Sequence, residues 1–591
     1  MKFRPLVSGW ILSLAICLGT VATWSGRAAE NVLYRHHSLG SIGFLASTNG
    51  NLFRETWELP NAVLLRKQLE GQLAEVLIKE FLPTAAASNQ VSRTAPLVAD
   101  VLERETLVDV RGEGEKRSWV LAIQLPEPRR KAWDATLKGL AAEAKLAPGA
   151  EATLEGYPGW SLQATKLRLS WASAGDWLVA GIGAEPPAQL AAVLQEIRKS
   201  GRPAPALDGR WLEVNADLGE LSKTFPVIPQ FLSAKAELTL TPRSKNVRTE
   251  AKLRFAEPIP WHPEPWQLPL ENVHDPIVGF AAARGIQPLL EKHPDLISLG
   301  LPALPNQACG WSLARIPYIA ALACPMPQSS NVIFKALQGL PTLLTNYGRV
   351  AGQFIWATNS GQMAWQGLPF VGPTARPLMD GGREFLFASI LPPPNTGRRP
   401  PEELFSFTNR ADLAYYDWEI TEERVNAWRY IYQIGLLVFG RISPDTNAPA
   451  QRLMEDLSHG ERLGNCVTEL AITGPSEMTF LRNSPVGLTG LEIVNALRWV
   501  GSANFPFTYE RAPHLDLKKV GAERRAARAT NGPAAQPGIP ALPGLRPPPG
   551  GFRPGGTNGA PVRRTPTNSL TRPLPQPQSK PPAAGSPPNQ P

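Results

Sequence analysis

The sequence lacks the local motifs by which the commonest catalytic and metal sites are recognised. Its seven histidines include no His-Glu-x-x-His arrangement, and no two of its four cysteines have the Cys-x-x-Cys spacing of a zinc site. It also contains no Gly-x-Ser-x-Gly elbow and no Gly-x-x-x-x-Gly-Lys-Ser/Thr phosphate loop. These absences exclude a recognisable zinc motif, nucleophile elbow or nucleotide loop, and we expect no cofactor.

Long apolar runs are missing after the N-terminal segment. There, Lys2 and Arg4 precede an apolar run that ends near Trp24, and the small residues Gly26 and Ala28 follow. This pattern predicts a signal peptide over residues 1–28 and export to the periplasm, the cell surface or the medium. An uncleaved anchor is the alternative, because the run approaches the roughly 20 residues that span a bilayer. Only in that case do we expect a membrane contact.

Most of the chain carries little net charge, although the whole sequence has a formal charge of +9. The excess lies in the signal segment and in residues 521–591, where nine Lys or Arg face one acidic residue, Glu523. The slightly acidic remainder excludes nucleic-acid binding by charge. Residues 521–591 also contain 18 prolines, which predicts a disordered tail. Its function is either a spacer or a contact with an anionic envelope polymer, and the alternative is a solvated tail without a partner.

Cysteine is scarce, and the predicted mature chain keeps three. An odd number leaves at least one free thiol or an intermolecular bond. Cys309 and Cys324 flank Ile316-Pro317 symmetrically, so a hairpin would place them opposite each other as a possible disulfide. The alternative is two buried thiols that act as small hydrophobic residues. Cys466 shares one face of a predicted strand with Leu470 and Ile472 and is expected in the core.

The clearest local structure is a predicted β-hairpin from Ala236 to Phe255. Apolar and polar residues alternate along both arms, which predicts one dry and one wet sheet face. The proline-rich segment 257–268 that follows cannot continue a central strand or a helix. We therefore predict a first domain over residues 29–256, a linker over residues 257–268, and a second domain over residues 269–520.

The fold class predicted for both domains is α+β, with antiparallel sheets and packed helices, because strands outnumber helices and pair mostly with their neighbours. Ser41–Ser47 is interpreted as the first strand. Asn61 is predicted to begin a helix with one apolar stripe. Two identical tetrapeptides, Gly159–Leu162 and Gly310–Leu313, suggest a duplication, with chance similarity as the alternative.

Few residues are candidates for chemistry. His36 and His37 are predicted to lie at the surface before a strand, where adjacent side chains point to opposite sides and would not chelate one ion together. Ser161 and Ser312 follow Gly-Trp but lie in predicted strands, so neither is expected to be a nucleophile. Other candidates form a loose acidic cluster of Glu213, Asp217 and Glu220, of which the last two are expected at a helix start.

Two segments, Asp275–Gly285 and Tyr415–Thr421, resemble uncharacterised secreted bacterial proteins that have a signal peptide and two α+β halves. The resemblance implies no known activity, cofactor or catalytic residue.

Two functions remain from the sequence. The first is an exported, non-catalytic binding or scaffold protein of the cell envelope. The second is a secreted hydrolase whose acidic or histidine residues meet at a cleft between the domains. Trp261 and Trp266 lie at that junction, either as a ligand site or as a seal. The absence of every motif tested favours the first function.

Overall fold

The computed structural model describes residues 32–81, 88–112, 117–143, 149–163, 168–183, 188–224, 233–314, 319–347, 352–367, 372–391, 397–438, 448–459, 463–502 and 505–506. The predicted signal peptide and the Pro-rich tail lie outside these residues, so both stay predictions. The chain divides into one compact unit of residues 1–516 and a second of residues 517–591. All described residues belong to the first unit.

The strands within the described ranges form one sheet of 20 members. They are β1 Val32–Ser38, β2 Thr106–Arg111, β3 Ser118–Gln124, β4 Ala150–Leu154, β5 Tyr157–Gln163, β6 Arg168–Ala174, β7 Trp177–Gly183, β8 Leu212–Asp217, β9 Ala234–Arg243, β10 Asn246–Phe255, β11 Ile277–Arg284, β12 Gln307–Leu313, β13 Ala320–Pro325, β14 Gln353–Ala357, β15 Gln362–Gln366, β16 Thr374–Asp380, β17 Arg383–Ser389, β18 Leu413–Ile420, β19 Asn465–Gly474 and β20 Glu477–Ser484.

Along the chain the helices are interspersed among these strands, and the last helix follows β20. They are α1 Gly40–Ala46, α2 Asn51–Trp57, α3 Pro60–Phe81, α4 Ser88–Glu103, α5 Glu127–Glu143, α6 Ala188–Ser200, α7 Leu218–Thr224, α8 Gln287–Leu290, α9 Pro294–Leu299, α10 Ser329–Tyr347, α11 Thr421–Val438, α12 Pro449–His459 and α13 Gly490–Val500, with a 3-10 helix at Glu402–Asn409. None of the helices within the described ranges is long and apolar enough to cross a membrane.

The two halves of the sheet have the same strand order. In the first half the order is β4-β5-β6-β7-β3-β2-β1-β8-β9-β10. In the second half it is β14-β15-β16-β17-β13-β12-β11-β18-β19-β20. Every pair of neighbours is antiparallel. Ten strands in one order, repeated once, indicate an internal duplication.

The halves join edge to edge through β10 and β20. The register of this pairing is symmetric. Val247 of β10 and Met478 of β20 occupy the same position after their hairpin turns. Val247 faces Ser484, and Met478 faces Leu253. Glu250 faces Leu481 at the centre of this pairing. An approximate two-fold axis therefore passes between these two residues, and β10 and β20 are interior strands rather than edges.

The shared sheet has two faces. One face is covered by α4 and α5 in the first half, and α10 and α11 lie on it in the second half. We call it the bundle face. It carries Leu121 and Ile123 in the first half and Leu322 and Asp417 in the second. The other face carries α6 in the first half and the 3-10 helix in the second, each over its own apolar cluster.

Helices of the two halves also pack together. Leu65 of α3 lies in one buried cluster with Val425 of α11, Leu453 of α12 and Ile493 of α13. These contacts and the β10–β20 pairing couple the halves, so the division at residues 257–268 into independent domains stays a prediction.

The α+β class and the antiparallel pairing are confirmed. So is the hairpin, since Ala236, Leu238 and Ala251 are buried on one face. The predicted apolar stripe of α3 is also present, with Leu65 and Leu73 buried.

Two predictions about order along the chain are wrong. Ser41–Ser47 is not a strand, because α1 occupies Gly40–Ala46 and Gly40 turns the chain with a φ of 68°. The first strand is β1, upstream of it. The two Gly-Trp-Ser-Leu tetrapeptides lie in β5 and β12, which are not equivalent strands, so they do not reflect the duplication.

Candidate functional site

His36 and His37 are buried in β1, so their predicted surface position is wrong. The strand lies between β2 and β8 with both of its faces covered, and a strand buried on both faces lacks the alternation by which sequence reveals it. Burial and the neighbouring His37 lower the pKa of His36 to about 3, so its ring is neutral.

His37 lies at a small pocket on the face opposite the bundle. Its Nε2 is 2.9 Å from Oε1 of Glu105, which also accepts a hydrogen bond of 2.5 Å from Nη2 of Arg202. Across the strands His37 faces Glu213, which pairs with Arg210. The pocket encloses about 130 Å³ and is also lined by Asn215.

The pKa values of the two glutamates beside His37 shift in opposite directions. Burial would raise the pKa of Glu105, but the hydrogen bond from His37 and the charge of Arg202 outweigh it and lower the pKa. Burial raises the pKa of Glu213, although Arg210 and His37 oppose the shift. The arrangement contains a carboxylate-oriented histidine, the pairing that sequence reasoning required for a hydrolase. It lies wholly within the first half and not between the halves.

The predicted acidic cluster is dispersed. Asp217 ends β8 and accepts a hydrogen bond of 3.0 Å from the backbone N–H of Glu220, so these two residues lie at a helix start as predicted. Glu213 lies at the other end of the strand beside His37.

A second group of charges is buried on the bundle face of the second half. Glu419 accepts a hydrogen bond of 2.6 Å from the backbone N–H of Gly490 and lies 3.7 Å from Arg424. Arg482 donates two hydrogen bonds to Glu492, one of them 3.0 Å long. Asp417 lies between these pairs on the same face. The group ties β18 and β20 to α11 and α13.

These acids are difficult to ionise. Burial raises the pKa of Asp417 to about 6, against the attraction of Arg424 and Arg482. Burial and the nearby Asp417 raise the pKa of Glu419 to about 7. In the first half the equivalent strand positions hold Val214 and Ala216. The charges therefore distinguish the second copy of the repeat from the first.

Beside this group lies a sheet surface that we call the open strip. Its residues are partly or largely exposed, and they belong to adjacent register positions of β11, β12, β13 and β17: Ala281, Ala283, Ala308, Gly310, Leu322, Leu386 and Ala388. Leu322 is 45% exposed. Among the described residues, nothing lies within 4 Å of a Cβ added at Gly310 except the neighbouring strand β13.

Most of the same positions in the first half are covered, although Leu121 is only half-buried. His36, Val108 and Leu121 are the equivalents of Ala281, Gly310 and Leu322 by register. His36 and Val108 are 3% and 4% exposed. Leu97 and Val101 of α4 lie in one apolar cluster with Leu121, Ile123, Leu178 and Ala180. In the first half, then, a helix lies where the second half is open.

The chain between β11 and β12 explains the difference. In the first half the corresponding connection, from β1 to β2, contains four helices, of which α4 covers the sheet. In the second half it contains only α8 and α9. α9 packs against α10, where Leu299 reaches Gly339, instead of lying over the strip.

Sequence reasoning missed both the buried charges and the open strip. Asp417 and Glu419 alternate with aromatic residues in Tyr415–Ile420, a pattern expected of a half-solvated strand. The useful signal is the contrast between repeats, in which Gly310 replaces Val108 and Ala308 replaces Thr106. That contrast needs the register of both halves, which no local pattern supplies.

The two candidate serines lie in strands, as predicted. Ser161 and Ser170 are joined by a hydrogen bond of 2.9 Å, and Ser312 accepts one of 2.7 Å from Arg424. Both are therefore engaged in structural contacts.

Cys309 and Cys324 are free, buried thiols. Cys309 faces Ala323 and not Cys324, so the hairpin register differs by one residue from the symmetric pairing expected. A shift of one residue turns the two side chains to opposite faces of the sheet. Cys466 is fully buried, as expected.

No group of three or more His, Cys, Asp or Glu residues in the described parts of the chain is arranged to hold a metal ion.

No family model and no curated protein matches the chain. One crystal structure, crystal form IV of TP0453, aligns at 11% sequence identity with a TM-score of 0.20 over 40% of this chain and 82% of that chain. A TM-score of this size does not indicate a shared fold.

Proposed function

We propose that the protein is an exported, non-catalytic binding protein of the cell envelope and that the open strip is its binding surface. The observation that supports this is the contrast in exposure between equivalent sheet positions. Val108 is 4% exposed, whereas Gly310, its equivalent, is only half-buried and Leu322 beside it is 45% exposed. An apolar sheet face that stays exposed is a recognised sign of an interaction surface.

The cysteines of the protein make a direct test practical. Cys309, Cys324 and Cys466 are 2%, 7% and 0% exposed, so an added surface cysteine should dominate thiol labelling. We compare Leu322→Cys with Leu64→Cys, because Leu64 is 50% exposed on α3, which is not one of the elements that form the strip. A thiol reagent is applied to the purified proteins and to envelope preparations of the native host.

Both variants should react when purified. In the envelope, the cysteine at position 322 should be protected at least several-fold relative to the one at position 64, because a bound partner covers the strip. Equal labelling of the two cysteines in the envelope would refute the proposed binding surface. Absence of the protein from the envelope and the medium would refute export.

The hydrolase alternative is favoured by one observation, the His37–Glu105 pair at the pocket beside Glu213. A histidine held by a carboxylate is suited to act as a general base. The purified protein is assayed with chromogenic ester, peptide, glycoside and phosphoester substrates beside His37→Gln. Activity that the variant loses by a hundredfold or more would favour a hydrolase over a binding protein.

The basic tail, residues 521–591, is proposed as a second, electrostatic contact with an anionic envelope polymer. Its support is the charge distribution of the sequence, in which nine basic residues follow Gly521. Such a contact is independent of the open strip and would be weakened by salt.

A further inference from the structure

We propose that the occupant of the open strip is a single amphipathic helix of a partner protein, with large apolar side chains on the face that meets the sheet. This inference rests on the proposed function and specifies the chemistry of the partner. It follows from the width of the strip, from the small size of the residues that form its surface, and from the pairing of its strands with neighbours on both sides.

The first half provides the geometric precedent. There α4 lies on the equivalent strands, with Leu97 and Val101 against Leu121 and Ala180. Strand order and register are the same in both halves. A helix is thus the element that this sheet surface already accommodates once.

The strip is wide enough for one helix. On one side α10 packs on β14 to β17, and on the other α11 packs on β18 and β11. With strands about 4.8 Å apart, the two flanking helices are separated by roughly 20–24 Å. A helix packs at about 8–10 Å from each neighbour, so one fits between them and two do not.

The small residues of the open strip indicate the size of the partner's side chains. Relative to the first half, His36 is replaced by Ala281, Thr106 by Ala308, and Val108 by Gly310. A helix lying at the height of α4 would leave voids above these small residues, and unfilled voids are unfavourable. Leu, Phe or Trp side chains on the partner would fill them.

Pairing excludes a partner that adds a strand. β11, β12, β13 and β17 each pair on both sides, so the strip offers no free row of backbone groups. The arginines at its margin are also engaged, since Arg424 lies 3.7 Å from Glu419 and Arg482 pairs with Glu492. A strongly charged ligand is therefore not favoured over an apolar helix face.

The probe for this inference is a labelled peptide based on α4, residues 88–103. Thr94→Leu and Val101→Phe enlarge its sheet-facing side, and Pro96→Ala supports an isolated helix. A peptide of the same composition with the apolar stripe scrambled is the control. Binding to the full-length protein is followed by fluorescence anisotropy.

The stripe peptide should bind saturably and the scrambled peptide at least tenfold more weakly. Leu322→Glu should weaken binding of the stripe peptide at least tenfold, whereas Leu64→Glu should leave it unchanged. Ala281→Phe, which fills the strip without adding charge, should weaken binding as well. Thermal melting of each variant shows that a loss of binding is not a loss of folding.

Some results would overturn the inference alone. If position 322 is protected in the envelope while the stripe peptide fails to bind, the occupant is not a helix. Displacement of the peptide by phosphatidylcholine vesicles at equal affinity, or a dimer abolished by Leu322→Glu, would identify a lipid surface or a second copy instead. If position 322 is not protected, the proposed function itself fails.

Discussion

The guanidinium of Arg284 lies 4.6 Å from the ring centre of Trp266, and it donates hydrogen bonds to the backbone carbonyls of Glu264, Arg410, Ala411 and Leu413. Trp261 lies on the same guanidinium, at 5.6 Å. The two tryptophans of the predicted linker therefore pack against the end of β11. Of the two interpretations open from the sequence, the contacts favour a seal over a ligand site.

Arg284→Lys should destabilise the protein by about 2–4 kcal/mol, because an ammonium group cannot satisfy four carbonyls at once and buried carbonyls without donors are costly. Urea unfolding measures the change. Arg376→Lys is the matched control, since Arg376 also lies over a ring, that of Phe387, but among the described residues it makes a single weak hydrogen bond, 3.4 Å long, to the carbonyl of Pro377. Equal effects of the two substitutions would contradict this role of Arg284.

Asp417 and Glu419 should make stability decline as the pH rises. Their pKa values are about 6 and about 7 in the folded protein, above the roughly 4 of unfolded carboxyl groups. Between about pH 4 and pH 7 the folded state thus binds more protons than the unfolded state, and the free energy of unfolding falls by a few kcal/mol over this range.

Asp417→Asn and Glu419→Gln remove this titration while keeping the shape of each side chain. Urea unfolding at a series of pH values should show a flatter profile for each variant, and flattest for the double variant. Glu477→Gln is the control, because Glu477 is only slightly buried and its pKa is lowered, chiefly by the hydrogen bond from Thr473. A double variant with the slope of the wild type would exclude these two groups as its cause.

The sequence predicted those features that local patterns carry. Alternation revealed the β9–β10 hairpin, and spacing revealed the apolar stripe of α3. Features set by long-range register were not predictable. They include the β10–β20 junction, the opposite faces of Cys309 and Cys324, and the missing cover over Leu322, which depends on α9 packing against α10.

The thiols of Cys309 and Cys324 should stay reduced in the mature protein. The two side chains point to opposite faces of the sheet. Burial also raises the pKa of Cys324 to about 12, so the reactive thiolate form of this residue is scarce. Intact-mass measurement after alkylation should show no modification of the folded protein and three modified cysteines after unfolding in guanidinium without reductant. Only one modified cysteine in unfolded protein would demonstrate the disulfide.

A protein that ends at Val520 should keep the thermal transition of the full chain, because a Pro-rich basic tail contributes to no core. It should lose the salt-sensitive part of its attachment to isolated envelope, since nine basic residues are removed. Attachment measured between low and high salt checks this. An unchanged attachment would mean that the tail is inert, and a transition several degrees lower would mean that it is docked.

The first half alone, residues 29–256, should form a dimer through β10. Removing the second half exposes the edge of β10 that β20 covers, and exposed edges recruit other strands. Because β20 is the repeat equivalent of β10, a second copy can take its place with Val247 opposite Leu253. The centre of such a dimer would place Glu250 opposite Glu250, where like charges repel.

Glu250→Leu should therefore tighten this dimer, since leucine is what the native pairing provides at the equivalent position, Leu481. The repulsion it removes is on the order of 1 kcal/mol, a several-fold change in the dissociation constant, measured by sedimentation equilibrium. In the full-length protein the same substitution should leave the oligomeric state of the wild type unchanged, because β20 occupies the edge. A first half that folds but stays monomeric with either residue would contradict the pairing inferred from the two-fold register.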